Sequence, residues 1–123
     1  MSIRKLDECK VITALDGTIL RELLNPLHDG PELKVGYSIA HALIKPGSAS
    51  YPHRLTRSSE VYYFLHGEGI MHVDEQCFEV AAGSLIYVPP NAKQFLENTG
   101  KTEVSFLCIV DPYWRPEHEE LAD

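Results

Sequence analysis

Runs of four to eight residues rich in Val, Ile, Leu, Tyr and Phe recur along the chain, each ended by a Gly, Pro, Asn or Asp signal. Such spacing predicts short β-strands. KVITAL ends at Asp16-Gly17, a hairpin-type dipeptide, and TILRELL stops before Asn25-Pro26. PLHDGPEL is loop-like by its Pro, Asp and Gly content. YSIAHALI, EVYYFLHG, IMHVD, CFEV, SLIYV, KQFLEN and VSFLCIV follow, separated by Pro46-Gly47, GEG, Asp74-Glu75-Gln76, Ala81-Ala82-Gly83, Pro89-Pro90-Asn91 and Thr99-Gly100, and closed by Asp111-Pro112. The tail WRPEHEELAD is polar and acidic, and Pro116 followed by Glu117 reads as a short helix or an extended arm.

Many short strands at even spacing predict an all-β sandwich or closed barrel. Alternation is weak in LIYV and FLCIV, which are apolar on both faces. One face fills the interior; the other needs a cover. A second copy of the chain is the simplest cover, making a homodimer the expected assembly, and a second sheet within the monomer is the alternative.

Composition narrows the picture. A chain of 123 residues with 44% apolar content fits one domain, 1–123, able to bury a core without staples. The net charge of −7 argues against a nucleic-acid surface or a polybasic membrane patch. Cys9, Cys77 and Cys108 are odd in number and far apart, neither a disulfide framework nor a zinc knuckle, and suggest a reducing cytoplasm. MSIRKLDECK carries no signal-peptide pattern, and no apolar run reaches the ~20 residues of a membrane span.

Candidate chemistry lies in the middle. If strand parity holds, Glu60, Tyr62 and Phe64 share one face, His53 and Leu55 share another, and Gln94, Leu96 and Asn98 share a third. A carboxylate on a barrel-facing side demands a partner or a function. Without a balancing cation its pKa rises by desolvation, which makes Glu60, with His53 nearby, a candidate acid–base pair.

Gly47, His53, Glu60 and Gly67 stand at the spacing of the first cupin motif, with Leu55 where a second His is usual. Gly83, Pro89 and Asn98 match the second motif, with Asn91 in a Gly position and Gln94 in place of a His. The chain thus resembles small single-domain cupins over residues 35–112, leaving 113–123 as a polar tail that also looks like theirs.

The resemblance implies an antiparallel double-stranded β-helix, the cupin jelly-roll barrel, with a pocket at its open end. It implies a site for a divalent transition metal (Mn, Fe, Ni, Cu or Zn), reduced here to His53, Glu60 and Gln94. Gln supplies only a neutral amide oxygen, and losing two imidazoles removes most of the expected affinity. His41, just before Pro46-Gly47, would restore an imidazole if it pointed inward, and Cys108 would supply a thiolate; an outward His and a buried hydrophobic Cys are the plainer readings. His66 and His72 are expected outside the pocket, and His28 and His118 carry no assignment.

Tyr62, Phe64 and Gln94 are candidate substrate contacts, with ordinary barrel core as the alternative for the two rings. Arg54 and Arg57 would guide an anionic ligand or simply solvate a loop. The functional expectation is a small-molecule-binding cupin with a partly degenerate metal site, acting by metal-assisted or acid–base chemistry as an isomerase or epimerase on a sugar or small carbonyl compound. The alternative is a non-catalytic ligand-binding module without a functional metal.

Overall fold

The computed structural model describes residues 1–123. Eleven strands form two antiparallel sheets: β1 (Val11–Thr13), β2 (Ile19–Leu24), β3 (Ser38–Ile44), β4 (His53–Leu55), β5 (Ser59–His66), β6 (Glu68–Val73), β7 (Gln76–Ala81), β8 (Leu85–Val88), β9 (Gln94–Asn98), β10 (Val104–Asp111) and β11 (Glu119–Leu121). One sheet has the order β1-β2-β3-β10-β5-β8, the other β11-β4-β9-β6-β7. Facing each other, they make the all-β closed barrel that the turn spacing predicts, in the double-stranded β-helix form that the cupin resemblance implies.

Nine strands fall on the nine apolar runs. Two others do not: β4 holds three residues of the polar segment after Pro52, and β11 lies in the tail. The tail holds a short helical turn starting at Pro116 and then an extended segment docked on the barrel. One 3-10 turn at Pro116–His118 leads into β11, which pairs with β4 through Glu119↔Leu55 and Leu121↔His53. This pairing covers a sheet edge that would otherwise present unpaired backbone groups. PLHDGPEL also contains a single helical turn, Pro26–Asp29, capped by the Asn25 side chain accepting from Leu27 N at 2.9 Å and ended by Gly30. No helix is long and apolar enough to cross a membrane.

The motif residues outside the pocket do structural work. Gly67 has φ +85°, and a Cβ there would lie 2.5 Å from the Glu103 carbonyl oxygen, so only Gly lets β5 turn this close to the start of β10. Asn91 sits at φ 69°, the left-handed region that Asn tolerates, which explains how it stands in a Gly position. The Asn98 amide donates to the carbonyls of Ile44 and Thr102, each at 2.9 Å, and clamps the strand ends together.

Burial alternates strictly in β6, β8, β9 and β10. Val104, Phe106, Cys108 and Val110 of β10 point inward, as do Glu60, Tyr62 and Phe64 of β5. Fourteen buried apolar residues form one cluster, centred on Phe64, Met71, Leu96, Val104 and Phe106. On the outside of the six-stranded sheet Tyr63, Leu65, Leu85 and Tyr87 stay exposed and Leu107 and Ile109 are half-buried, which is why LIYV and FLCIV read as apolar on both faces.

Candidate active site

A cavity of about 850 Å³ opens at the barrel end away from the Phe64 cluster. Its walls come mostly from β1, β2, β3, β5 and β10 on one side and from β4, β11 and Trp114 on the other. His53, Glu60 and Tyr62 line it, and so do Asp16, Cys108 and Glu119. Gln94 and Phe64 are fully buried but do not line it. The inward row of β5 explains this: Glu60 faces the cavity, Tyr62 forms its floor, and Phe64 lies a further pair of residues into the core, stacked with Tyr62 and tilted against Phe106.

His53 is held by its backbone neighbourhood. Its Nδ1 donates to the Tyr51 carbonyl at 3.1 Å, which assigns the tautomer and turns Nε2 into the cavity. Two carboxylates bracket the ring: Asp16 Oδ2 is 3.6 Å from Nδ1, and Glu119 Oε2 is 3.7 Å from Nε2. Asp16 is fixed by the hairpin it closes, accepting from Thr18 N at 3.1 Å and Thr18 Oγ1 at 2.8 Å. Glu119 is fixed by β11 pairing and by Trp114 Nε1 donating to its Oε1 at 3.2 Å.

Glu60 is the unusual member. It is 6% exposed, and its Oε1 is buried with no hydrogen-bond partner. Buried acceptors are normally satisfied, so this atom marks a place for a donor from elsewhere. Burial pushes the Glu60 carboxyl up to about 7, with the His53 ring pulling it down, Asp16 and Glu119 pushing it further up, and the Cys108 thiol weakly opposing. Burial also raises Glu119, again opposed by His53, and pushes up the Tyr62 hydroxyl and the Cys108 thiol, with Glu60 adding to both. A carboxyl that titrates near neutrality in a cleft can give or take a proton.

The donor set does not suit a resident transition metal. Leu55 is buried at the position of the missing His and offers no lone pair. The Gln94 amide oxygen already accepts from the Tyr62 hydroxyl, so the amide turns to the barrel floor instead of the cavity. His41 lies with Val11, Ile19, Arg21 and Leu43 in a small groove apart from the main cavity, so it restores no imidazole. No three His, Cys, Asp or Glu side chains stand together in a metal-binding arrangement. Such ions favour sites with several imidazole or thiolate donors; here one imidazole is available, and burial with Glu60 beside it keeps Cys108 a thiol.

The other predicted positions are accounted for by the surface. Arg54 pairs loosely with Glu120 at 3.5 Å, and Arg57 and His66 are exposed. His72 stacks on Phe95 outside the barrel, between Glu97 and Cys77. His28 sits at the cavity rim, paired to Glu22 at 2.6 Å. Sequence reasoning missed Asp16, Glu119 and Trp114 as site residues. In the sequence Asp16 is half of a turn dipeptide, and Glu119 is one acid among several in a polar tail. Trp114 was the available signal, because a lone Trp in a polar segment usually anchors it to the body of the fold.

Comparisons agree with this architecture. The chain is 36% identical over 118 residues to an uncharacterized protein of Methanocaldococcus jannaschii, covering 95% of this chain and 91% of that one. Over 71 residues it is 31% identical to the oxalate-binding protein of Thermotoga maritima, covering 58% of this chain and 59% of that relative. Among solved structures, a cupin 2 conserved barrel domain protein from Salinispora arenicola superposes with a TM-score of 0.75 at 18% identity, over 96% of this chain and 92% of that one, a likeness of fold. Residues 40–110 match the Cupin domain family, and the chain belongs to it.

Proposed function

We propose that this cupin binds a small polar molecule in the cavity and moves a proton on it with Glu60, without a transition metal. The substrate class is a sugar or small carbonyl compound, and the reaction an isomerisation or epimerisation. The observation that carries this reading is the Glu60 Oε1, buried at the cavity wall without a partner. His53, Asp16, Glu119 and Cys108 line the same cavity as Glu60. In this reading Tyr62 shapes the floor, Gln94 orients Tyr62, and Phe64 supports both from behind.

The test is proton exchange. Aldose and ketose sugars and small α-hydroxy carbonyl compounds are incubated with the full chain in D2O, and loss of the proton next to the carbonyl is followed by NMR. Exchange that survives a chelator and disappears in Glu60→Gln supports the proposal. Exchange that needs added metal, or that persists in Glu60→Gln, overturns it; so does a complete absence of exchange. That last result would favour the non-catalytic ligand-binding module, which the commitment of Leu55 and Gln94 to packing also suits.

We also propose a homodimer formed through the outer face of the six-stranded sheet. Tyr63, Leu65, Leu85 and Tyr87 lie on its neighbouring strands β5 and β8 and stay exposed by 40–61%. Sedimentation of wild type against Leu85→Lys tests this, with a monomeric variant expected. The three free thiols fit a cytoplasmic location.

A further inference from the structure

We propose that the ligand of this cavity is a protonated amine carried on an apolar body, its ammonium group received by Glu60, with Glu119 and Asp16 adding negative charge to the same cavity. The inference rests on the reading that the cavity binds a small molecule, and it narrows that molecule to an amine-bearing compound.

The first ground is the balance of donors and acceptors. Three carboxyl groups and one imidazole line the cavity, with Asp16 3.6 Å and Glu119 3.7 Å from opposite nitrogens of His53. His53 Nδ1 already donates to a backbone carbonyl. The Tyr62 hydroxyl is spent on Gln94. Lys10 is the one Lys or Arg among the lining residues, and it lies exposed in the segment leading into β1. His28 is occupied by Glu22. The inner end of the cavity therefore offers acceptors and negative charge, and what it lacks is a cationic donor.

The second ground is independent of that count. Glu60 Oε1 is buried and unpartnered in a residue only 6% exposed that lines the cavity. A buried acceptor left empty costs free energy, and a charged donor satisfies it better than a neutral one. The third ground is the wall. Leu20, Ile39, Leu55, Phe106 and Trp114 give the cavity an apolar lining, and 850 Å³ is room for a ring as well as a head group. An oxalate dianion, by contrast, would meet three carboxyl groups and no Arg or Lys at the inner end.

Binding to the full chain is measured by calorimetry with four probes: phenethylamine, phenethyl alcohol, phenylacetate and oxalate. Phenethylamine is expected to bind at least about tenfold more tightly than the alcohol, and the two anions not to saturate. Glu119→Gln and Glu60→Gln should each weaken the amine by about tenfold while leaving the alcohol unchanged. Both variants keep shape and one acceptor oxygen, and alcohol binding reports an intact cavity should either be less stable.

Tighter binding of oxalate or phenylacetate overturns the inference. Equal binding of amine and alcohol, no amine binding, or amine binding unchanged in both variants also overturns it. Proton exchange that fails while the amine binds removes only the proposed chemistry; exchange that proceeds on uncharged sugars while the amine does not bind removes only this inference.

Discussion

The two ends of the barrel are built from the same strands and differ in what those strands carry. At the closed end Phe64, Phe106, Met71, Leu96 and Val104 fill the space, with Phe64 and Phe106 centroids 5.5 Å apart. At the open end the same inward rows carry Glu60 on β5 and Cys108 on β10, and the space stays open. Tyr62 is the boundary between them, its ring stacked on Phe106 and its hydroxyl bonded to Gln94. The closed end holds the fold together, and the open end carries carboxyl groups that folding alone does not need. Desolvated acids are tolerated there because the closed end supplies the apolar burial that outweighs them.

The largest expected effect breaks the closed end. Phe64→Ala should cost about 3–5 kcal/mol by lost transfer free energy and a residual cavity, measured by chemical denaturation. A loss below about 1 kcal/mol would mean that the closed end is loosely packed and the contrast is false.

Next comes the open end, read through pH. With Glu60 at about 7 in the folded protein and near 4.5 when unfolded, the native state binds the extra proton between those values. Stability contributed by protonated Glu60 is therefore full below about 4.5 and is lost as pH rises through about 7. The loss amounts to about 3 kcal/mol if the site titrates alone. Glu60→Gln should remove this part of the pH dependence and be the more stable protein above neutrality. Parallel stability curves for variant and wild type would show that Glu60 is not desolvated.

At the boundary, Tyr62→Phe leaves the buried Gln94 oxygen without its donor and should cost about 1–3 kcal/mol with little change in cavity shape. The smallest effect is expected outside the barrel. His72 and Glu97 approach to 3.1 Å there, closer than the 3.7 Å between His53 and Glu119, but with their side chains 20% and 43% exposed. Glu97→Gln should change stability by less than about 1 kcal/mol. A larger loss would show that burial is not what separates the inner acids from the outer one.

Much of the closed end was legible in advance. Period-two parity placed Glu60, Tyr62 and Phe64 on one face of β5, and Gln94, Leu96 and Asn98 on one face of β9, because strand geometry leaves no other choice once the strand exists. Parity says which face a side chain takes but not which end of the barrel it reaches. Phe64 shares a face with Glu60, and only depth along the strand keeps it out of the cavity.

What the sequence by itself determined is the strand pattern, the turns and the inward rows, since these follow from local backbone preference and alternation. The tertiary structure alone decided the company of His53. Asp16 comes from the first hairpin, 37 positions before it, and Glu119 from the tail, 66 positions after. No local rule links them. They meet because β11 pairs with β4 and the Asp16 turn folds over Tyr51, whose amide donates to the Asp16 carbonyl at 2.7 Å. Contacts between distant segments depend on which sheet edges close on one another, and that is fixed by the whole barrel.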